Sequence, residues 1–419
     1  MTGTGTGPGP DLDPERARLA EARDRGAAWY RWGPYVSDRQ WGTVREDYSA
    51  NGSAWEYFPH EHARSRAYRW GEDGLLGISD DQARLCFAIA LWNEHDPILK
   101  ERLFGLTGPE GNHGEDVKEA YFYLDATPTA SYLRALYKYP QRAFPYAELV
   151  AENRGRGRDE PEYELIDAGV FDEDRYFEVE VEYGKAAPED IAIRVTVTNR
   201  GPEAAPLHLL PTLWFRNTWA WGRDDRRPTI RRADGTRPAA RADHHRLGSY
   251  WLSAEGDPAF LLSENESNAE RLWGTASPTT GAKDAFHLAV VGGDTNRLLR
   301  ADDDTGTKAA FHYRWLLGPG ETRVVHLRLA TGEAPAEAGI GADRILASRR
   351  AEADGFYAGV SPGPLSDDER LVQRQAFAGL VWSKQSYHFD VAQWLDGDPV
   401  GPAPPVERRQ GRNDDWREL

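Results

Sequence analysis

The segment Phe177-Glu178-Val179-Glu180-Val181-Glu182-Tyr183 has an apolar residue at every second position and a glutamate at each position between. Successive side chains of a β-strand point to opposite faces, so this pattern predicts a strand with one buried and one solvated face. The same period continues through Ile191, Ile193, Val195 and Val197, and an Asn199-Arg200-Gly201 turn follows. The sequence therefore predicts a fold built on half-buried strands.

Further strand signals lie on the C-terminal side of this segment. Residues 207–215 are mostly apolar, and Pro211 within them predicts an edge strand or a bulge because proline has no N–H to donate. Residues 311–317 and 323–329 flank Gly318-Pro319-Gly320, which predicts a hairpin. Many strands with few long helical patterns indicate a mainly β fold, a large antiparallel β-sandwich.

Helical patterns are confined to the two ends of the chain. Asp13-Pro14-Glu15 predicts the start of a helix that runs to about Arg25, after ten residues expected to be disordered. A second helix is expected from 342 to about 357. Ser366 followed by Glu369 forms a capping box and predicts a helix to about 387. That helix carries an apolar face, expected to lack a packing partner, made of Leu371, Phe377, Leu380, Val381 and Trp382.

Composition limits the function classes. The chain has 419 residues and a formal net charge of -17, which argues against nucleic-acid or anionic-membrane partners. Its one cysteine, Cys86, lies in an apolar run and is expected to be buried and inert. There is no signal-peptide pattern and no run of about 18 apolar residues. These features predict a soluble, cytoplasmic protein without cofactors.

Residues 29–125 combine tryptophan, tyrosine, arginine and carboxylates at high density. Flat rings stack on sugar faces, and charged planar groups match hydroxyls, so the mixture suits a carbohydrate surface as well as an aromatic core with a charged rim. Because sugar sites have mixed polar and aromatic linings, six residues are candidate substrate contacts. They are Trp41, Glu46, Asp47, Trp70, Glu72 and Asp73.

Longer strings in the chain resemble a known family. These are Trp32-Gly33-Pro34-Tyr35, Ser37-Asp38-Arg39-Gln40-Trp41-Gly42-Thr43, Glu110-Gly111-Asn112-His113-Gly114-Glu115-Asp116, Leu210-Pro211-Thr212-Leu213-Trp214-Phe215-Arg216-Asn217-Thr218-Trp219 and Arg412-Asn413-Asp414-Asp415-Trp416. They are similar to the amino-terminal part of bacterial glucosidase-like proteins of glycoside hydrolase family 63, which are related to mannosyl-oligosaccharide glucosidase. The resemblance covers most of the chain after residue 28.

This resemblance implies an architecture and an activity. The architecture is a disordered tail and short helix (1–28), a β-sandwich (29–330), a linker with a helix (331–365) and the start of a truncated (α/α)6 barrel (366–419). The implied enzymes are inverting α-glucosidases, in which one acid and one base act on an α-linked glucoside. No position of this sequence matches the family's acid or base motif. The chain is therefore expected to be inactive alone and to need a barrel polypeptide encoded downstream.

Two other function classes stay open on the sequence. The chain could act as a stand-alone carbohydrate-binding or interaction module. A weaker alternative is a metal-dependent β-barrel enzyme, since a strand at His60-Glu61-His62 would place both imidazoles on one side, near His113.

Other polar clusters are interpreted as structural. Four acidic pairs are expected to be loop or turn residues: Glu46-Asp47, Glu72-Asp73, Asp80-Asp81 and Glu115-Asp116. For the first two pairs the alternative of a substrate contact, given above, stays open. Residues 302–304 are expected to form a polar turn rather than a calcium loop. The basic stretch 223–241 is interrupted by aspartates and is expected to be a solvated loop.

Overall fold

The computed structural model describes ten stretches of the chain. They are residues 13–36, 59–70, 74–106, 116–222, 226–235, 237–301, 305–332, 336–361, 363–386 and 388–410. The expected disorder of residues 1–10 and the expected turn at 302–304 lie outside these stretches.

Sixteen strands form the body of the described chain. In order they are β1 Trp32–Gly33, β2 Leu75–Asp80, β3 Leu85–Trp92, β4 Gly105–Leu106, β5 Asp116–Val117, β6 Tyr121–Ala126, β7 Tyr132–Pro140, β8 Tyr176–Ala187, β9 Asp190–Asn199, β10 Ala205–Phe215, β11 Thr229–Arg232, β12 Ala239–His244, β13 Gly248–Ala254, β14 Ala259–Ser263, β15 Lys308–Leu317 and β16 Thr322–Thr331.

Eight α-helices accompany them in the described stretches. They are α1 Pro14–Arg25, α2 His60–Ala63, α3 Tyr146–Gly155, α4 Ala269–Trp273, α5 Ala285–Val290, α6 Ala342–Ala358, α7 Asp367–Trp382 and α8 Val391–Asp396. None of these helices combines the length and the apolar composition that a membrane span needs.

The strands make two large antiparallel sheets. The six-stranded sheet has the order β1-β2-β3-β10-β15-β14, and the eight-stranded sheet has the order β11-β12-β13-β16-β9-β8-β7-β6. One apolar core joins their facing sides, with Phe87 and Leu209 from the first sheet and Val181 and Val195 from the second, all fully buried. The predicted mainly β, antiparallel sandwich is therefore confirmed.

The strands predicted from alternation form the centre of the eight-stranded sheet. Strands β8 and β9 pair directly, with Val181 opposite Val195. Their valines are buried, whereas Glu178 and Glu180 are only half-buried, as a period of two requires. Cys86 is fully buried in β3, as expected.

The predicted hairpin at Gly318-Pro319-Gly320 is wrong. Strand β15 pairs with β10 and β14 in one sheet, whereas β16 pairs with β13 and β9 in the other. The turn carries the chain across the core, where Phe311 and Leu327 both lie. Alternation shows which side chains are buried, but it does not show whether two strands pair edge to edge or pack face to face.

The predicted edge position of Pro211 is also wrong, because β10 lies between β3 and β15 in the middle of the six-stranded sheet. Leu209 pairs with Tyr313 of β15, and the pairing resumes in the same register at Thr212, opposite Ala310. The interruption accommodates the missing proline N–H within a central strand.

Residues 223–241 do not form the expected solvated loop throughout. Strands β11 and β12 occupy Thr229–Arg232 and Ala239–His244 and pair with each other. Ile230, Ala240 and Ala242 are buried, and the arginines and aspartates alternate with them on the wet side. The frequent charged residues obscure the short alternation of buried and exposed positions that predicts strands in this stretch.

The terminal helices form where the sequence predicted them. Asp13 caps α1 by accepting a hydrogen bond from the Arg16 N–H at 2.9 Å. The capping box at α7 is complete, since the Ser366 hydroxyl accepts from the Glu369 N–H and the Glu369 carboxylate accepts from the Ser366 N–H. Helix α7 ends at Trp382 rather than near 387.

The expectation that the apolar face of α7 lacks a partner is only half right. Ala378, Val381 and Trp382 belong to the sandwich core, and the Trp382 ring stacks on Tyr123 with centroids 5.0 Å apart. Leu371 and Leu380 remain exposed. The C-terminal end of the helix is thus anchored on β6 by one face, whereas Leu380 on another face of the same end and Leu371 near the N-terminal end are exposed to solvent.

Candidate functional site

The candidate site is the place where the C-terminal segment 388–410 contacts the sandwich, at the loops after α2 and after β10. Trp70, a predicted substrate contact, lies at its centre and is 2% exposed. Its ring stacks on His388 with centroids 5.6 Å apart and meets the edge of Trp221 at 5.6 Å. Phe389 lies 6.2 Å from the same ring. We call these four rings the Trp70 cluster.

Buried charges hold the C-terminal segment against this cluster. The Arg69 guanidinium forms an ion pair with Asp398, and both side chains are almost fully buried. The same guanidinium lies 5.0 Å from the centre of the Trp221 ring. The Trp221 indole N–H donates to the carbonyl of Gly397 at 3.2 Å. These contacts fix the orientation of the aromatic rings.

Two buried carboxylates stabilise the neighbouring loop. Glu266 accepts hydrogen bonds from the Trp219 indole N–H at 2.6 Å and from the Asn217 amide at 2.9 Å. Glu264 accepts from the Thr307 hydroxyl at 2.6 Å and pairs with a guanidinium N–H of Arg227 at 2.7 Å. Burial raises the pKa of Glu264, while Thr307 and Arg227 oppose that rise. Because both carboxylates already bind protein donors, we assign them to support of the loop 215–222.

The arrangement offers a mixed aromatic and polar surface. Trp70 itself is covered, whereas Trp221, His388 and Phe389 are half-buried and keep part of their rings accessible. Half-exposed rings oriented by an indole hydrogen bond and a guanidinium–ring contact are the kind of groups with which proteins hold sugar faces.

Of the six predicted substrate contacts, the structure describes only Trp70. Trp41, Glu46, Asp47, Glu72 and Asp73 lie outside the described residues, so their role stays a prediction. Sequence reasoning missed Trp221, His388 and Phe389. The strings Trp219-Ala220-Trp221 and Tyr387-His388-Phe389 carried a signal, namely the same aromatic density that pointed to residues 29–125.

The strand geometry assumed for a metal site at His60-Glu61-His62 is wrong, because residues 60–63 form the helical turn α2. In a helix, side chains two positions apart do not share a face. His60 packs on Phe104 and Tyr146, at ring distances of 5.1 and 5.3 Å. Burial and the nearby Arg66 lower the pKa of His62. The third histidine of that hypothesis, His113, lies outside the described residues.

One acidic pair can be assigned from its contacts. Asp80 is fully buried and accepts backbone N–H groups of Arg84 at 2.6 Å and Leu85 at 2.8 Å. This closes the turn between β2 and β3, so the prediction of a hydrogen-bonded turn residue is confirmed for Asp80.

Comparison with known proteins gives one extensive sequence similarity. The chain is 42% identical over 449 aligned positions to an uncharacterised protein of Saccharomyces cerevisiae. The alignment covers 97% of this chain but 41% of the yeast protein, so the chain spans about two fifths of that relative's length. No family model matches the chain.

Solved structures show weaker similarity. A protein assigned as an aldose 1-epimerase from Escherichia coli K12 aligns with 8% identity and a TM-score of 0.24, over 50% of this chain and 67% of that one. An enzyme related to galactose mutarotase from Lactobacillus acidophilus aligns with 8% identity and a TM-score of 0.27, over 66% and 96%. TM-scores this low do not define a shared topology, so the assignment of a β-sandwich comes from the two sheets of this chain.

Proposed function

We propose that this chain is the amino-terminal sandwich and helix-domain opening of a cytoplasmic, inverting α-glucosidase-like glycoside hydrolase. The catalytic acid and base would lie in a helical domain encoded after residue 419. The sugar class comes from the resemblance of the sequence strings to family 63 proteins. The chain aligns with 41% of the yeast relative, so that relative is a longer polypeptide, as the proposal requires.

The observation that carries the proposal is the exposed face of α7. Val372, Ala376 and Leu380 follow one another at a spacing of four and so share one face of the helix. All three are exposed, Val372 to 62% and Leu380 to 71%, whereas the face of Ala378 and Trp382 is buried in the core. Contiguous exposed apolar side chains on a folded helix mark a surface that another element covers. A first barrel helix has this property until the following helices pack against it.

The Trp70 cluster also supports the proposal that the sandwich is a supporting domain and the helical domain is the catalytic one. It joins the sandwich to the segment 388–410, which directly follows α7. We therefore propose that this part of the sandwich supports the mouth of the helical domain. Trp70 would act there as a positioning residue beneath the rings that contact the sugar.

Activity measured with and without the downstream sequence tests the proposal. The purified chain, and the chain extended by the sequence encoded after residue 419, are assayed on a panel of α-linked glucosides. We expect the extended polypeptide to hydrolyse a glucoside of the panel and the 419-residue chain to hydrolyse none. Hydrolysis by the 419-residue chain would contradict the proposal and direct attention to its own carboxylates.

A charge placed on α7 tests the interface directly. Leu380→Asp is expected to lower the unfolding midpoint of the 419-residue chain only slightly, because that side chain is exposed and the cost is that of a carboxylate in the last turn of α7. In the extended polypeptide the same substitution buries a carboxylate and lowers stability and activity. Equal tolerance in both polypeptides would refute a helical domain packed on α7.

The stand-alone binding module is the second candidate. Saturable binding of an α-glucan by the chain, together with no hydrolysis by the extended polypeptide, would favour it.

A further inference from the structure

We propose that a groove at the edge of the sandwich, which shares no residue with the Trp70 cluster, is a binding site for a neutral saccharide. The groove lies between β15, the loop of residues 255–258 and the start of β16, and its volume is about 330 Å³. We call it the edge groove. The choice of a saccharide as ligand rests on the proposed carbohydrate function, whereas the site itself is defined by the geometry below.

The groove exists because two neighbouring strands have different lengths. Strand β14 begins at Ala259, opposite His312, whereas β15 continues to Leu317. Among the described residues, 313–317 therefore pair only with β10. The loop before β14 bends away, and Gly256 permits the bend with a φ of +80°. Volumes of about 300–1,000 Å³ are usual for small-ligand sites.

The charged side chains that line the groove are Glu255, Asp257, Arg314 and Arg323. Both guanidinium groups already pair with carboxylates beside the groove, Arg314 with Glu94 at 2.8 Å and Arg323 with Glu321 at 2.7 Å. Because these cations are already neutralised, the groove favours a neutral polyol over an anion. Asp257 is exposed and makes no hydrogen bond or ion pair to any residue that the structure describes. Its oxygens are therefore available to ligand hydroxyls.

Aromatic rings supply the apolar part of the lining. Trp315 is half-buried, and its ring centre lies 5.5 Å from that of Tyr313 at an interplanar angle of 35°. The Tyr313 hydroxyl donates to the Glu255 carbonyl at 2.6 Å and so ties the strand to the loop. A tryptophan fixed beside charged planar groups offers the flat surface on which a sugar ring packs.

A partly buried hydrogen-bond chain orients the imidazole of His312, which lines the groove. Glu94, with a left-handed φ of +64°, lies 3.0 Å from Nε2 of His208. Nδ1 of His208 lies 2.8 Å from Nε2 of His312. A carboxylate only accepts, so His208 donates to Glu94 and accepts from His312. Nδ1 of His312 then remains an acceptor.

The protonation state of His312 agrees with that role. Burial, together with His208 and Arg314, lowers the pKa of His312 to about 4. The imidazole is therefore neutral at pH 7 and presents a lone pair rather than a proton. A hydroxyl donor is the matching ligand group.

Titration of the 419-residue chain with maltoheptaose and with a dextran oligosaccharide, followed calorimetrically, tests the groove. Trp315→Ala and Asp257→Ala are each expected to weaken binding about tenfold, the scale of one ring contact or one charged hydrogen bond. Trp315→Phe should retain most of the affinity. Asp234→Ala, which removes an exposed carboxylate in the turn between β11 and β12, is the matched control and should bind like the native chain.

The outcomes separate this proposal from the proposed function. Absence of saturable binding to the native chain, or native affinity in both folded variants, would overturn the groove. Hydrolysis of a small α-glucoside by the extended polypeptide should persist in Trp315→Ala and Asp257→Ala. If the extended polypeptide proves inactive while the groove still binds glucans, the proposed function fails and the edge groove stands.

Discussion

The two sheets of the sandwich share one core but differ in what covers their outer faces. Strands β8 and β9 of the eight-stranded sheet turn glutamates and arginines outward, and α6 covers part of them through ion pairs. Strands β3 and β10 of the six-stranded sheet are buried on both faces, because α5 and neighbouring loops cover the outer one. Strand β3 is apolar on both faces, whereas the outer face of β10 also holds the buried polar residues His208 and Thr212. The sequence pattern of a strand therefore indicates what packs on its outer face. Alternation of apolar and polar residues indicates a polar environment on that face, and an unbroken apolar run indicates burial of both faces.

The largest expected effect concerns the apolar anchor of α7 at the eight-stranded sheet. Trp382 is 2% exposed, and its indole N–H donates to the Asp125 carbonyl. Trp382→Ala should lower the free energy of unfolding by about 3–5 kcal/mol. Leu380→Ala, on the exposed part of the same helix, should change it by less than about 0.5 kcal/mol. Chemical denaturation measures both, and equal losses would show that α7 packs differently.

The next prediction compares the outer faces directly. Leu210 lies on the outer face of β10 beside Phe286 and is fully buried, so Leu210→Ala should cost about 2–5 kcal/mol, as should Leu209→Ala on the inner face. Thr196, on the outer face of β9, is half-buried, and Thr196→Ala should cost less than about 0.5 kcal/mol. A small loss at Leu210 would contradict the double burial of the six-stranded sheet.

Glu182 provides the electrostatic counterpart on the eight-stranded sheet. It accepts from the Tyr132 hydroxyl at 2.6 Å and pairs with Arg194 and Arg350. Burial alone would raise its pKa, but Tyr132 and the two arginines outweigh burial and lower it. Glu182→Gln should cost about 1–3 kcal/mol at pH 7, because the arginines are partly exposed and can be rehydrated.

The pH dependence of that loss has a definite sign. The lowered pKa means that the unfolded state binds the proton more readily than the folded state. The stabilisation by Glu182 is therefore complete above the unfolded value of about 4.3 and is lost as the pH falls through the lower folded pKa. Denaturation at pH 7 and at acidic pH should show the native chain converging on Glu182→Gln. A constant difference would exclude this linkage.

Apart from the control substitutions Leu380→Ala and Thr196→Ala, the smallest effect is expected at the capping box of α7. Ser366→Ala removes the acceptor of the Glu369 N–H and should cost about 1 kcal/mol. Ser366→Gly should lower the free energy of unfolding by only a few tenths of a kcal/mol, since glycine is tolerated at the N-cap position. Thermal unfolding of the two variants resolves the difference.

The parts of the fold that sequence predicted are those that local patterns control. The period of β8 and β9, the cap of α1 and the Ser366–Glu369 box were all recoverable because each depends on residues a few positions apart. The crossing at Gly318-Pro319-Gly320 was not, because sheet membership depends on the facing strands. At the site, only Trp70 was both predicted and described. Its partners Trp221 and His388 are more than 150 positions away in sequence, and no local pattern joins them to it.

We propose that this sandwich belongs to an inverting α-glucosidase whose catalytic residues lie in a helical domain encoded after residue 419. Proton NMR of an α-glucoside incubated with the extended polypeptide tests it most directly, because the first anomer released reports the stereochemistry. We expect β-glucose to form first and then to mutarotate, and the 419-residue chain to release no glucose. Release of α-glucose first, or hydrolysis by the 419-residue chain, would contradict it.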